Sequence, residues 1–243
     1  MQSIRHGSAS VPILMCMLAL ASCASTPVEP AVSPARTPRQ AAMIDIQTLV
    51  PDIALDIRYA GNNNFVGARI DGYNAPKCYL LTSVADAIAR AEHELRKQNL
   101  RLKLFDCYRP RRAVLHFVRW ASDLQDQRTK PIYYPNLDKR QLLGDYISPT
   151  SGHSRGATLD ATLLHCDDTG KQCEALDMGT TFDFFDVRAN TDSPLVTSMQ
   201  RDNRQQLRTV MTRHGFKNYP LEWWHYTLTP EPSPHVAFDM PVQ

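Results

Sequence analysis

Long apolar stretches are nearly absent from this 243-residue chain. The longest, Val11–Ala21, covers roughly half of the 20 residues that a membrane-spanning helix needs, so no transmembrane helix is expected. Any block of one charge sign is missing too: 27 Lys and Arg face 25 Asp and Glu, a formal net charge of +2. Nucleic-acid binders gather basic residues into a patch or stripe, and this composition gives such a partner no support. The six cysteines include no Cys-x-x-Cys pair, which argues against a thiolate zinc site. No internal repeat is visible, and one domain with one sizeable core is the simplest organisation at this length.

What is present begins with an address. Arg5 and His6 precede the apolar run, which ends in Leu20-Ala21-Ser22-Cys23. These features read as an export signal over residues 1–22, and the last four resemble the lipobox of bacterial lipoproteins. Cys23 is then the lipidated first residue of the mature chain. Ala24 after it resembles the sorting rule for the outer membrane, so the expected location is its periplasmic face. Residues 23–41 carry Pro27, Pro30, Pro34 and Pro38 among Ser, Thr and Ala, too little apolar surface to fold. Extended at ~3.1 Å per residue, Ala24–Gln40 would reach roughly 50 Å. The folded domain is expected over residues 42–243.

With Cys16 in the leader and Cys23 lipidated, Cys78, Cys107, Cys166 and Cys173 remain, in an oxidising compartment, with three conceivable pairings. Cys166 and Cys173 flank a turn, Asp167–Gln172 with Gly170, and hairpin pairing would bring them within disulfide reach. Cys78 is then left for Cys107.

Apolar spacing predicts an amphipathic helix over Ser83–Asn99, with Val84, Ala87, Ile88, Ala91 and Leu95 on one stripe. A strand through Leu102 and Leu104 runs into Asp106, and a second helix carries Ala113, Val114, Phe117, Val118 and Ala121. Residues 129–151 read as a long ordered loop. From Ala157 to Leu164 the period becomes two, with Thr158, Asp160 and Thr162 on the polar face. Ser193-Pro194 reads as the start of a third helix that Gly215 stops, and Phe216–Tyr219 and His225–Leu228 as the final strands. Interleaved strands and helices without repeating βαβ units predict an α+β domain, with a central antiparallel sheet flanked by helices.

Two runs concentrate the chemistry: Ser151-Gly152-His153-Ser154-Arg155-Gly156-Ala157-Thr158-Leu159-Asp160 and Glu222-Trp223-Trp224-His225. On a helix, His153 and Asp160 would lie ~10 Å apart along the axis, too far to share an ion with ~2 Å bonds. A loop turning into a strand removes the difficulty, because Gly152 and Gly156 let the chain fold back onto Asp160. Glu222 and His225, three apart, would point to opposite faces of a regular strand, so the backbone must bend at Pro220-Leu221 or at Trp223. His225 is then a third ligand, and Glu222 a general base beside the open fourth position. His6, His93, His116 and His165 read as surface or hydrogen-bonded residues, and Trp223 and Trp224 as core and pocket wall.

From about Asp45 to Pro241 these runs closely resemble the zinc D-alanyl-D-alanine dipeptidases of the vancomycin-resistance type. The resemblance implies one zinc ion held by His153, Asp160 and His225, with Glu222 as base. It implies the zinc fold shared by hedgehog domains and D,D-peptidases. The family's Asp-Gly-Tyr-Arg-Pro appears as Asp106-Cys107-Tyr108-Arg109-Pro110, which assigns Arg109 to the reacting carbonyl oxygen. A cysteine there in place of glycine suggests an added disulfide. Phe182–Asp186 matches the family's Phe-Asp-Phe-x-Asp, so Asp183 corresponds to the group that holds the substrate's ammonium. Ser151, Tyr59 and Tyr73 fall in stretches similar to the substrate pocket. The implied reaction is hydrolysis of D-Ala-D-Ala or a close D,D-dipeptide, in peptidoglycan turnover or glycopeptide resistance. A D,D- or L,D-carboxypeptidase on longer murein peptides is the alternative within enzymes. A non-catalytic binding module is the alternative outside them, and the joint presence of Glu222 and Arg109 argues against it.

Overall fold

A computed structural model describes Gln2 and residues 30–243. Gln2 apart, the expected export leader and Cys23 lie outside the described residues. Among the described residues no helix is long and apolar enough to cross a membrane.

Strand β1 (Ala31–Val32) lies parallel to a strand from the far end of the chain, Val236–Ala237. Its side chains are exposed, and the pairing runs through the main chain: Ala31 and Ser33 amides donate to the His235 and Ala237 carbonyls at 2.9 and 2.8 Å. A backbone ladder needs no apolar side chains. Main-chain pairing therefore starts ahead of residue 42, where composition places the beginning of the body.

Strand β2 (Met43–Asp45) pairs antiparallel with β4 (Tyr79–Leu81), and β3 (Ala54–Leu55) lies between them in sequence. After α1 (Thr82–Arg96) come β5 (Leu100–Asp106), α2 (Arg111–Ser122) and the short α3 (Lys130–Tyr133). The long strand β6 (Thr158–Cys166) turns into β7 (Cys173–Ala175). Helix α4 (Ser198–Arg213), β8 (Phe216–Asn218), β9 (His225–Leu228) and β10 (Val236–Ala237) complete the chain.

A six-stranded sheet runs β3-β5-β6-β9-β8, with β7 also on β6. It is mixed: β3 and β5 are parallel and the other pairs antiparallel. The parallel pair has a structural reason, since 44 intervening residues containing α1 supply the crossover that parallel neighbours need. Helices α1 and α4 pack on each other, α1 against β5 and α4 against β6 and β8.

Local chemistry sets the helix limits. Helix α1 buries its whole predicted stripe but stops at Arg96, because Asn99 turns left-handed (φ 57°) into β5. Helix α4 starts at Ser198 and not at Ser193-Pro194. Thr197 and Gln200 form a capping box there, the hydroxyl accepting from Gln200 N at 3.3 Å and the amide oxygen from Thr197 N at 2.9 Å. The polar stretch 129–151 is ordered around buried Lys139, which donates to the Asp123 and Asp126 carbonyls at 2.8 and 2.7 Å over the Trp120 ring. Disulfides join Cys78 to Cys107 and Cys166 to Cys173, the pairing the hairpin argument gives.

Candidate active site

The sheet register builds the floor of the site. Asp160 on β6 is paired with Asp106 on β5 and with His225 on β9, so three neighbouring strands present a row of acid, acid and imidazole. A β-bulge between Leu104 and Asp106 makes the row possible. Without the extra residue, Phe105 would stand opposite Asp160 and Asp106 would turn to the other face.

His153 reaches this row from a 3-10 turn, Gly152–Arg155, that closes onto β6. The Ser151 hydroxyl caps the turn, accepting from His153 N at 3.3 Å. Glycine is required at both ends. A Cβ on Gly152 would meet Thr158 Oγ1 at 2.6 Å, and one on Gly156 (φ +75°) would run into Met43 Cε. The Cys107 carbonyl lies 2.8 Å from His153 Nδ1 and can only accept, so Nδ1 carries the proton and Nε2 offers its lone pair to the cavity.

Glu222 and His225 come from the turn joining β8 to β9, where Glu222 N donates to the Tyr219 carbonyl and His225 N to the Glu222 carbonyl. The bend that three-residue spacing demands is this hairpin connection.

Three donor atoms converge. His153 Nε2, His225 Nδ1 and Asp160 Oδ1 form a triangle with sides of 3.1, 3.3 and 3.4 Å. A tetrahedral zinc ion with bonds of about 2.0–2.1 Å spaces its ligands about 3.3–3.4 Å apart. Asp160 Oδ1 is buried and makes no well-formed hydrogen bond, despite two imidazole nitrogens close by. A buried carboxylate oxygen without a well-formed hydrogen bond, between the His153 Nε2 lone pair and His225 Nδ1, is a donor set that fits a cation.

Around the triangle opens a cavity of about 390 Å³, at the small end of the range for ligand sites. Glu222 lines it, with Oε2 3.4 Å from His225 Nδ1. Burial pushes its carboxyl up to about 7; the His225 and Arg109 charges oppose this and that of Asp160 adds to it. Arg109 lines it too, its Nε held by Asp106 Oδ2 at 2.9 Å and its guanidinium 5.2 and 5.1 Å from the Tyr59 and Phe117 ring centres. On the opposite wall Asp183 is buried in a left-handed conformation (φ 60°), both its oxygens accepting from Tyr59 Oη at 3.1 and 3.0 Å. Burial first, and then the Asp160 charge, raise its carboxyl well above the usual range.

The residues read from the sequence thus meet at one place, with one exception. His153, Asp160, His225, Glu222, Arg109, Asp183, Tyr59 and Ser151 share the cavity or its floor. Tyr73 does not reach it: it is fully buried and its hydroxyl donates to Asp106 Oδ1 at 2.6 Å. Asp106 itself carries no role in the sequence reading, although it fixes Tyr73 and Arg109 and lies 3.3 Å from His153 Nδ1. Only the bulge and register reveal it. Equally hidden is the strap Gly144–Ser148, which walls the cavity and is tied across it by Tyr219 Oη to the Asp145 carbonyl at 3.3 Å.

A convergent His–Asp–His triangle in a cavity, flanked by a carboxylate near neutrality and a fixed guanidinium, defines a metallopeptidase. The comparisons agree with that class. A family model described as D-ala-D-ala dipeptidase (Peptidase M15), a family of zinc metallopeptidases, matches residues 39–243, and the chain belongs to this family. It is 37% identical over 199 residues to the D-alanyl-D-alanine dipeptidase of Enterococcus faecium, covering 82% of this chain and 96% of that protein. The protein of the same name from Streptomyces coelicolor is 39% identical over 198 residues, covering 81% and 96% of the two chains. The Escherichia coli protein is 29% identical over 186 residues, covering 76% and 84%.

Proposed function

We propose that this chain is a zinc dipeptidase that hydrolyses D-Ala-D-Ala or a closely related D,D-dipeptide. The donor triangle carries the reading: three ligand atoms at tetrahedral spacing beside Glu222, Arg109 and Asp183 in one small cavity. His153, Asp160 and His225 hold one zinc ion, which when bound supplies Lewis acidity at the substrate carbonyl and makes water easier to deprotonate. Glu222 takes the proton from the attacking water and returns it to the departing amine, a task that favours a carboxyl titrating near neutrality. Arg109 stabilises negative charge growing on the carbonyl oxygen, and Asp106 holds its guanidinium in place beforehand. Asp183 pairs with the substrate's free ammonium, and Tyr59 orients that carboxylate. Ser151 contributes to the wall of the dipeptide pocket. Tyr73 acts at one remove, through Asp106.

The free ammonium separates a dipeptidase from a carboxypeptidase. Purified zinc-loaded protein is expected to cleave D-Ala-D-Ala and to discriminate strongly against N-acetyl-D-Ala-D-Ala and a murein pentapeptide. Comparable kcat/KM on all three would move the assignment to a carboxypeptidase.

The same proposal places the enzyme on the periplasmic face of the outer membrane, anchored through Cys23, in peptidoglycan turnover. Its support is the leader and lipobox-like run at residues 5–24, together with two disulfides that suit an oxidising compartment. Cys23→Ser should release the protein from membranes and abolish metabolic labelling with palmitate. Unchanged labelling would refute the anchor.

A further inference from the structure

Arg204 projects from α4 into the interior, fully buried, and no carboxylate among the described residues pairs with it. Its guanidinium spends its donors on three main-chain carbonyls: Nε on Met178 at 2.7 Å, Nη1 on Asn190 at 2.7 Å and Nη2 on Arg188 at 2.9 Å. Packing alone does not account for this residue. A buried cation with no carboxylate in direct contact is costly even with the Asp177 charge acting on it from a distance, and an apolar side chain would fill the place more cheaply. Burial brings the guanidinium down to about 10, with the Asp177 charge opposing.

The three carbonyls bracket Phe182–Asp186, the segment that carries Asp183. Between β7 and α4 the chain has only one short 3-10 turn, Val187–Ala189, and Asp183 itself is left-handed. Such a segment has no ladder of its own and is held from outside: at its centre Phe182 stacks on Phe105 and Phe185 N donates to the Tyr133 carbonyl at 2.8 Å, and at its two ends Arg204 takes the carbonyls. A planar fork can take several carbonyls at fixed angles, which a lysine ammonium cannot do. Further ties run in the same direction. Gln200 and Asn203 on α4 hold Asp177 at 2.8 and 2.9 Å, and Trp223 N donates to the Ala189 carbonyl at 3.0 Å. The Asp183 segment is thus strung between α4 and the turn that bears Glu222.

We infer that Arg204 is a positioning residue for substrate recognition. By gathering the carbonyls of Met178, Arg188 and Asn190, it sets the separation between Asp183 and the His153–Asp160–His225 triangle. A dipeptide can then engage its ammonium and its scissile carbonyl together. The inference rests on Asp183 as the ammonium acceptor, and the test keeps the two ideas apart.

Arg204→Met and the conservative Arg204→Lys are compared with Asp183→Ala, and with Leu207→Ala, which removes core packing from the same helix. The readouts are KM and kcat for D-Ala-D-Ala, the preference over its N-acetyl form, and amide exchange across residues 178–191. Arg204→Met should speed exchange in that segment and raise KM on the order of 10- to 100-fold, with a smaller change in kcat. It should also collapse the preference for the free amine. Arg204→Lys should recover part of each, which keeps the idea testable if the methionine variant does not fold. Leu207→Ala should lower the melting temperature while leaving the preference intact. Unchanged exchange and preference in a folded Arg204 variant would overturn the inference, as would the same collapse in Leu207→Ala. Full preference in Asp183→Ala would instead remove the ammonium reading, and with it the role of Arg204 in recognition.

Discussion

Asp183→Asn should weaken the enzyme and strengthen the fold at the same time. The carboxyl is buried, its hydrogen-bond donor is the neutral Tyr59 hydroxyl, and the Asp160 and Glu222 charges lie nearby. Its folded-state value is therefore raised. Above the unfolded value near 3.9 the native state keeps a proton that the unfolded chain has released, so stability falls as pH climbs toward the raised value. Asparagine removes that penalty and tolerates φ 60° as aspartate does. A gain of ~1–2 kcal/mol at pH 8, shrinking to nothing near pH 4, is the expected size. Function moves the other way. Breaking a partly dry ammonium–carboxylate pair costs ~2–5 kcal/mol, or about 30- to several-thousand-fold. The free enzyme must first give up its proton, which pulls the loss toward about 30- to 100-fold in kcat/KM near neutrality. Urea unfolding at pH 5, 6.5 and 8, beside steady-state kinetics, measures both signs. A variant that is less stable at pH 8, or that keeps its kcat/KM, would refute the reasoning.

Metal analysis of the parent should give about one equivalent of zinc and His225→Ala should lose most of it, since the triangle loses a corner; full retention in the variant would discount the site. Glu222→Gln should keep its zinc yet lose on the order of 10²-fold or more in kcat, and near-normal turnover would remove the base. Asp106→Ala leaves the buried Arg109 guanidinium with two ring faces and one distant carboxylate, its Nη2 3.7 Å from Asp160 Oδ2, so a loss of ~3–5 kcal/mol in urea unfolding is expected; a change below ~1 kcal/mol would show the network to be slack. For the disulfides, the separations of 29 and 7 residues give about 3.6 kcal/mol for Cys78–Cys107 and about 2.5 kcal/mol for Cys166–Cys173. Non-reducing peptide mapping with paired serine variants checks both pairing and order.

Local and periodic features were legible in the sequence. The α1 stripe, the alternation on β6 and the glycine-flanked approach of His153 each depend on neighbours within a few residues, and each stands where the spacing puts it. The start of α4 is not legible in the sequence, because a Ser-Pro pair and a capping box compete and the box at Thr197 and Gln200 closes both its hydrogen bonds. The polar face of β6 gave no hint that Thr158, Asp160 and Thr162 would be buried, since what covers them comes from residues distant in sequence. Asp106 and Arg204 were out of reach for the same reason. One depends on a bulge against a strand some 55 residues away, and the other on three carbonyls that no side-chain pattern encodes.

Position 107 serves the site through its main chain alone: the carbonyl fixes the tautomer of His153, and the side chain points away into a bond with Cys78. Any residue that fits the backbone could supply that carbonyl, so the side chain there is free for another use. Here it ties the peptide that orients a metal ligand to the chain just ahead of β4. Under the proposed export into an oxidising space, the bond is a covalent brace on the candidate metal site that alters no side chain lining the cavity. Thermal drift of the imidazole, and with it gradual loss of a bound metal, is what such a brace resists.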